Sequence, residues 1–185
     1  MNAELYYLVG KPDALKQSMA SVLRQSLSEI SSVFIPEIFT TDDEISENEN
    51  YRYIDERNFR LRQSMDVYSL SWKKQGHFFG VNGDISQRLN SGVDVVINGS
   101  FHNLKQARQQ FPNINIVLIR REHVAIKKHY LIAEDDEVRL EFDGNKGEMG
   151  FLYMLTMMSG HGMGNALDML LMLISNNRSY LKNVG

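Results

Sequence analysis

The segment GVDVVINGS, at positions 92–100, decides the fold that this sequence predicts. Residues 93–97 are apolar apart from Asp94, which is typical of a buried strand, and the Asn-Gly-Ser sequence after them is typical of a turn. A helical pattern over 102–110 follows, Pro112 ends it, and residues 114–119 form a second apolar run. A strand, a helix and a strand at this spacing indicate a βαβ unit with parallel strands. We therefore predict a doubly wound α/β domain with a mostly parallel sheet.

The remaining segments extend this pattern. The run LYYLV at 5–9 predicts another buried strand, and apolar residues then recur at helical spacing from Asp13 to Ile30. A strand over 33–40 is expected to be an edge strand or an interrupted one, because Pro36 lacks an N–H group. The further predictions are an acidic loop over 41–50, a helix over 55–64, strands over 67–72 and 76–81 around a polar turn at 73–75, a helix over 84–91 capped by Asp84, and a closing amphipathic helix over 163–174.

Composition narrows the class of protein. The chain has 185 residues, of which 43% are hydrophobic and 23% are charged, as expected for one globular domain. The net charge of −3 gives no global attraction to nucleic acid or to an anionic membrane. Without cysteine there are no disulfides, thiolate metal sites or cysteine nucleophiles, and the five histidines show no paired metal spacing. No secretory signal or apolar stretch of about 20 residues is evident, so we expect a cytoplasmic protein.

The segment GKPDALKQS, residues 10–18, follows the first strand and opens the first helix. That is the position of a phosphate-binding P-loop, whose pattern is G-x-x-x-x-G-K-[ST]. Gly10 and Lys16 keep the required separation, but Leu15 stands where the second glycine belongs. Such a loop surrounds phosphate with backbone N–H groups, so a leucine side chain crowds it and Asp13 adds unfavourable charge. The motif taken by itself is weak evidence for phosphate binding.

Two blocks of sequence carry a more specific resemblance. The segment LSWKKQGHFFGV at 70–81, followed by 92–100, Leu104 and the Phe111-Pro112 pair, resembles the ribose 1,5-bisphosphate phosphokinases of bacterial phosphonate catabolism. These enzymes are close in fold to guanylate kinase. The resemblance implies a P-loop nucleoside-monophosphate-kinase-like domain of three layers over residues 1–185. It also implies a central, mostly parallel sheet, an acceptor-binding insertion at about 41–82 and an altered lid at about 122–150.

The resemblance further implies an activity and a set of site residues. The family transfers the γ-phosphoryl group of ATP to ribose 1,5-bisphosphate with Mg²⁺, so ATP and Mg²⁺ are the implied cofactors. Lys16 is the implied catalytic residue, and Ser18 is an indirect candidate for holding the metal. The implied cofactor-binding residues are Gly10, Asp13, Leu15, Lys16, Gln17 and Ser18. The implied acceptor-binding residues are Thr40, Thr41, Glu49, Ser71, Phe79, Asn98 and Ser100.

Departures from the family pattern fall on the positions that handle phosphate. The later loop glycines are Asp13 and Leu15, and a Thr-Arg pair after the second strand is Thr40-Thr41. The tyrosine of the family's Tyr-Gly pair is Phe79, and the lid segment at 127–135 lacks the family's arginines. Phosphoryl transfer depends on positioning and charge neutralisation, so these changes predict weak or lost catalysis.

Three readings stay open. The chain is a divergent, weakly active or inactive relative, an active kinase of ribose 1,5-bisphosphate or a nucleoside monophosphate, or a non-catalytic module that binds a protein or a small phosphorylated ligand. The expected partners are therefore a phosphorylated small molecule or ATP, without nucleic acid and without a membrane. A homo-oligomer through the methionine-rich C-terminal third is compatible with the sequence, which does not indicate one.

Overall fold

The computed structural model describes residues 3–11, 21, 24–25, 32–45, 50–83, 85–121, 130–132, 139–141 and 152–157. The helices in these ranges are Glu56–Ser64, Ile85–Asn90 and Leu104–Gln110, with a 3-10 turn at Phe101–Asn103. The strands are β1 (Leu5–Lys11), β2 (Val33–Phe34), β3 (Ile38–Thr40), β4 (Tyr51–Tyr53), β5 (Tyr68–Lys74), β6 (His77–Asn82), β7 (Asp94–Asn98), β8 (Asn115–Arg121), β9 (Tyr130–Ile132), β10 (Arg139–Glu141) and β11 (Leu152–Met157).

A five-stranded parallel sheet forms the centre of the fold. Its order is β11-β8-β1-β7-β2, and every neighbouring pair is parallel. The two strands of the predicted βαβ unit, β7 and β8, are parallel to each other but not adjacent, because β1 lies between them. All five residues of β7 are buried, as expected for a strand of a parallel sheet whose two faces are covered. The predicted α/β fold with a mostly parallel sheet is confirmed.

Residues 33–40 divide between two sheets. β2 is an edge strand of the parallel sheet, whereas β3 belongs to a second sheet of order β4-β3-β6-β5. The interruption spans residues 35–37 and includes Pro36, which cannot donate a hydrogen bond to a neighbouring strand. The prediction of an interrupted strand at Pro36 is therefore confirmed, and the interruption is the point where the chain leaves one sheet for the other.

The hairpin β5–β6 forms the other half of the second sheet. Its closing pair is Lys74 with His77, and both turn residues have positive φ, 50° at Gln75 and 91° at Gly76. A two-residue turn of this kind matches the right-handed twist of the flanking strands. The predicted turn at 73–75 was therefore placed too early, because Lys73 and Lys74 continue the extended strand.

Among the described residues, two apolar clusters hold these sheets. The larger one lies along the parallel sheet and includes Tyr7, Val95 and Ile97, joined by Leu104 from the helix Leu104–Gln110. The smaller one contains Phe39, Ile54 and Phe59, and it lies under the helix Glu56–Ser64. Asp55 caps that helix by accepting a hydrogen bond from the Asn58 N–H at 3.0 Å, which confirms the helix predicted over 55–64.

The carboxyl-terminal third differs from the sequence-based expectation. β11 lies in a region where the sequence analysis assigned no strand, and it pairs with β8 from Leu152 to Met157. The sequence LYMLTM is too short to distinguish a buried strand from a helical segment. The predicted closing helix over 163–174 lies outside the described residues, and so does most of the helix predicted from Asp13 to Ile30. No helix in the described ranges is long and apolar enough to cross a membrane.

Candidate functional site

The carboxyl ends of β1, β7 and β8 meet along one edge of the parallel sheet, which is where ligands bind in open α/β folds. Gly10 is buried near the end of β1 and lies opposite Ile119 of β8. The loop residues that follow it in sequence, Asp13, Leu15, Lys16, Gln17 and Ser18, lie outside the described residues. Of the residues predicted to bind the cofactor, the structure therefore places Gly10, at the end of a central strand.

Basic residues that the sequence analysis did not single out occupy the same edge. Lys11 of β1 lies opposite Arg120 of β8, and Arg120 in turn lies opposite Thr156 of β11. Arg121 is the last residue of β8. The signal in the sequence was a pair of arginines directly after a buried apolar run.

Asn98 ends β7 and lies opposite Leu8 of β1. Its side chain is 3% exposed, and its amide nitrogen donates a hydrogen bond to the Tyr51 hydroxyl at 3.2 Å. The amide oxygen of Asn98 is buried and has no hydrogen-bond partner among the described residues. Tyr51 belongs to β4, so this contact joins the carboxyl end of the parallel sheet to the second sheet.

An aromatic row continues from Tyr51 into the second sheet. Tyr51 meets Phe79 edge-on with ring centroids 6.2 Å apart. Phe79 is buried and stacks on Trp72 with centroids 5.5 Å apart and an angle of 8° between the rings. Through Tyr51, the structure brings together two of the predicted acceptor-binding residues, Asn98 and Phe79. Sequence reasoning did not assign a role to Tyr51, because its contact with Asn98 joins residues 47 positions apart.

Ser100 is fixed by a buried tyrosine of β1. The Ser100 N–H donates to the Tyr7 hydroxyl at 3.0 Å, and that hydroxyl donates to the Ser100 carbonyl at 3.2 Å. Burial raises the pKa of the Tyr7 hydroxyl far above its ordinary value, although the hydrogen bond with the Ser100 backbone opposes that effect. The side chain of Ser100 accepts a hydrogen bond from the His102 N–H at 3.3 Å and so caps the 3-10 turn.

The side chains of Thr40 and Thr41 accept hydrogen bonds from nearby backbone. The Thr40 hydroxyl oxygen accepts from the Asp42 N–H at 3.0 Å, and that of Thr41 accepts from the Phe78 N–H at 2.9 Å. Thr40 is fully buried and pairs with Phe79 between β3 and β6. The pair therefore holds the turn after β3 against the neighbouring strand, and neither side chain carries a charge.

Comparison with known proteins gives the family. The chain is 30% identical over 140 residues to the ribose 1,5-bisphosphate phosphokinase PhnN of Desulfomicrobium baculatum, and the match covers 75% of each protein. This chain belongs to the ribose 1,5-bisphosphate phosphokinase family. It is also 25% identical over 164 residues to the PhnN protein of Pseudomonas fluorescens, covering 89% of this chain and 85% of that one. No protein-family model matches the chain.

The parallel sheet and the family membership agree on the predicted fold class, a P-loop nucleoside-monophosphate-kinase-like α/β domain. A guanylate kinase from Anaplasma phagocytophilum is a structural neighbour with a TM-score of 0.49 and 13% sequence identity. That comparison covers 64% of this chain and 61% of the guanylate kinase.

Two further residues were predicted to bind the acceptor, Ser71 and Glu49. The Ser71 hydroxyl accepts a hydrogen bond from the Gln63 side chain at 3.0 Å, so it is tied to the helix Glu56–Ser64. Glu49 lies outside the described residues. Among the residues that the structure describes, no group of three or more His, Asp or Glu side chains is arranged to hold a metal ion. The implied candidate for a metal contact, Ser18, belongs to the segment that is not described.

Proposed function

We propose that this chain is a divergent relative of ribose 1,5-bisphosphate phosphokinase that binds a phosphorylated sugar and has weak or lost phosphoryl transfer. The observation that carries the proposal is the bonding of Thr41. Its hydroxyl oxygen accepts the Phe78 N–H at the position where the family resemblance expects an arginine. A neutral side chain engaged with backbone does not neutralise charge on a transferring phosphoryl group, which is the main work of such a site.

The size of this effect decides between weak and normal catalysis. Loss of one preorganised cation or donor at a developing charge costs about 2.7–4 kcal/mol, which is a hundredfold to a thousandfold in rate. Leu15 and Asp13 alter the phosphate loop as well, and Phe79 lacks the hydroxyl of the family tyrosine. Because such losses act on the same transition state, they are not additive, but together they leave little of the family's rate acceleration.

Retained binding is supported by a different set of residues. The basic residues Lys11, Arg120 and Arg121 stand in sequence at the carboxyl ends of β1 and β8, and Gly10 directly precedes the last residue of β1. Asn98 presents a buried amide at the same edge. Electrostatic attraction to a ligand that carries two phosphate groups survives the loss of a single arginine, whereas accurate placement of a transferring phosphoryl group does not.

An active kinase of ribose 1,5-bisphosphate or of a nucleoside monophosphate is the alternative. The observation in its favour is the position of Gly10 at the end of β1, with Lys16 and Ser18 at the P-loop spacing behind it. In that case ATP binds along residues 10–18, Lys16 contacts its phosphates and Ser18 contributes to holding Mg²⁺. For either function we assign acceptor binding to the insertion at about 41–82, and we take about 122–150 as the altered lid region.

Calorimetric titration with ribose 1,5-bisphosphate and, separately, with Mg·ATP tests the proposal. We expect measurable binding of ribose 1,5-bisphosphate, weak or no binding of Mg·ATP, and product formation near background when both are present. Micromolar binding of Mg·ATP that Lys16→Ala abolishes, together with turnover, would establish the active kinase instead. Binding of neither ligand would contradict the proposal and favour a module that binds a protein.

A further inference from the structure

A buried asparagine joins the second sheet to the first helix of the chain, predicted over 13–30. Asn50 directly precedes β4 and is 1% exposed. Its side-chain nitrogen donates to the Ser21 hydroxyl oxygen at 2.8 Å, and its side-chain oxygen accepts from Arg24 Nε at 3.2 Å. Ser21 and Arg24 are both helical, and they follow the predicted phosphate loop in sequence. Both polar ends of this buried amide are therefore bonded to an element outside the second sheet.

The orientation of the Asn50 amide follows from the chemistry of its partners. An arginine side chain only donates hydrogen bonds, so the atom that faces Arg24 Nε is the amide oxygen. The amide nitrogen then faces the Ser21 hydroxyl oxygen, which accepts from it. Ser21 and Arg24 are three positions apart and lie on one face of their helix. Two directed bonds from one amide to one helix face oppose both sliding and rotation.

Arg24 also reaches the point where the chain passes from one sheet to the other. Its Nη2 donates to the Pro36 carbonyl at 3.2 Å, within the stretch 35–37 that separates β2 from β3. The Asn50 backbone carbonyl accepts from the N–H of Ile38, the first residue of β3, at 3.1 Å. We call Ser21, Arg24, Pro36 and Asn50 the junction clamp. The clamp ties the helix to the start of both β3 and β4.

The junction clamp lies next to residues of the candidate site. Tyr51 follows Asn50 directly, and its hydroxyl is hydrogen-bonded to the Asn98 side chain at the carboxyl end of β7. Its ring packs edge-on against Phe79 of β6. A shift of Asn50 therefore moves the residue that connects the two sheets. Contacts with a ligand depend on placement to a fraction of an ångström, so such a shift reaches the ligand.

We infer that Asn50 is a positioning residue, which through Ser21 and Arg24 sets the angle between the second sheet and the rest of the domain. The inference rests on the proposed function for its ligand, a phosphorylated sugar held by the insertion at about 41–82. Asn50 is buried and acts on that ligand through β4. The larger apolar cluster also spans both sheets, but apolar contact has no preferred direction, whereas hydrogen bonds define an angle.

Residual dipolar couplings of the backbone N–H groups of β6 and β7 test the geometry without a ligand, because they report the angle between the two sheets. In Asn50→Ala and in Arg24→Ala, we expect the fitted angle to shift from that of the natural sequence. Asn115→Ala is the matched control and should leave the angle unchanged, since it removes a buried asparagine whose amide bonds Glu4. An unchanged angle in both clamp variants would overturn the inference.

Calorimetry with ribose 1,5-bisphosphate on the full chain tests the consequence for binding, at a temperature where circular dichroism shows every variant folded. We expect Asn50→Ala to weaken binding about tenfold, the scale of one or two lost hydrogen bonds to a ligand. Ser21→Ala should weaken it by a smaller factor. Because both residues act through one bond, Arg24→Ala should cost less in the Asn50→Ala background than in the natural sequence.

Two controls separate positioning from other roles. Arg88→Ala also removes one positive charge, and Asn115→Ala also removes a buried asparagine, and both should leave the affinity unchanged. A residue that only stabilises the fold would lower the melting temperature and leave the affinity of the folded protein unchanged, and that result in Asn50→Ala would overturn the inference. If Asn50→Ala does not fold, unchanged affinity in both Ser21→Ala and Arg24→Ala overturns it. Absence of ribose 1,5-bisphosphate binding in the natural sequence would contradict the proposed function, while the angle between the sheets still decides the inference.

Discussion

The parallel sheet and the second sheet are stabilised in different ways. In the parallel sheet, residues 5–10 of β1 and 115–118 of β8 are buried, and β7 has no exposed residue. The second sheet is half exposed and depends on rings, with Phe59 stacked on Tyr68 at 4.7 Å and cations placed over other ring faces. Arg60 lies 4.7 Å from the centroid of Phe78, and Arg62 lies 4.6 Å from that of Phe39.

This difference explains how residues expected to handle phosphate can change while the fold is kept. Thr41 and Phe79 belong to the second sheet or its turn, where each has a local structural role. Substitutions at such positions remove charge or a hydroxyl while the parallel sheet stays intact. The carboxyl end of β7 keeps the buried Asn98, so binding and catalysis need not be lost together.

The largest effect is expected from Phe59→Ala in the second sheet. Phe59 is fully buried and stacks on Tyr68, so truncation leaves a cavity and should lower the free energy of unfolding by about 3–5 kcal/mol. Denaturant unfolding followed by circular dichroism measures the loss. Leu61→Ala on the same helix is the control, because Leu61 is 56% exposed, and it should cost less than about 0.5 kcal/mol. Similar losses in both variants would show that the ring cluster does not hold this sheet.

The next effect concerns Gly99, at the carboxyl edge of the parallel sheet. A Cβ atom there would lie 2.2 Å from the ring of the fully buried Tyr7, which has no room to move aside. Gly99→Ala should lower the free energy of unfolding by about 2–3 kcal/mol through overpacking. In Gly92→Ala the added Cβ meets open space and the cost is only that of φ +81°, about 1 kcal/mol. A smaller loss for Gly99→Ala than for Gly92→Ala would contradict the fit of the turn against Tyr7.

A smaller effect, on binding, is expected from the basic residues of the carboxyl edge. Arg120→Ala should weaken ribose 1,5-bisphosphate binding by about 1 kcal/mol, roughly fivefold, because it removes one positive charge from the carboxyl-terminal part of β8. The difference from the natural sequence should shrink as salt is raised above about 0.1 M, since screening then acts within about 10 Å. Arg88→Ala is the control, because Arg88 lies over the Phe34 ring on the helix Ile85–Asn90, outside the proposed acceptor-binding insertion, and it should leave the affinity unchanged. Equal loss in both variants would argue for non-specific attraction.

The smallest effect is a pH dependence at the start of the helix Glu56–Ser64. Hydrogen bonds from the backbone and side chain of Asn58 lower the pKa of the Asp55 carboxyl below its ordinary value. The stability that this carboxylate contributes is therefore complete above the ordinary pKa and is lost as the pH falls through the lowered one. Asp55→Ala should lower the melting temperature slightly at pH 7 and not at strongly acidic pH. Asp55→Asn keeps a side-chain acceptor that does not titrate, so it should lower the melting temperature less than Asp55→Ala does. Equal falls in melting temperature in the two variants at every pH would contradict the capping role.

The sequence predicted the parallel sheet well because its strands are continuous apolar runs, as in Val95 to Ile97. It also predicted the break at Pro36, because a proline lacks the N–H group that a strand residue donates. It did not predict β11, whose short apolar sequence has no periodicity that distinguishes strand from helix. The position of β1 between β7 and β8 could not be predicted either, because the order of strands in a sheet depends on contacts between distant segments.

The residues of the candidate site were also predicted only in part. Asn98 and Phe79 were predicted from the resemblance, and a contact with each of them links both to Tyr51. Tyr51 and the pair Arg120-Arg121 were missed, because their relevance comes from which strands are neighbours in space. The phosphate-loop residues Asp13 to Ser18 and the acceptor residue Glu49 stay predictions.

The most direct test of the central claim is the rate of phosphoryl transfer from labelled ATP to ribose 1,5-bisphosphate, measured beside the Pseudomonas fluorescens relative. With saturating sugar phosphate and Mg²⁺, we predict a rate at least about a hundredfold below that of the relative, as expected for loss of one charged contact in the transition state. Sugar phosphate binding should persist under the same conditions. A rate within about tenfold of the relative would contradict the account and establish this chain as an active kinase.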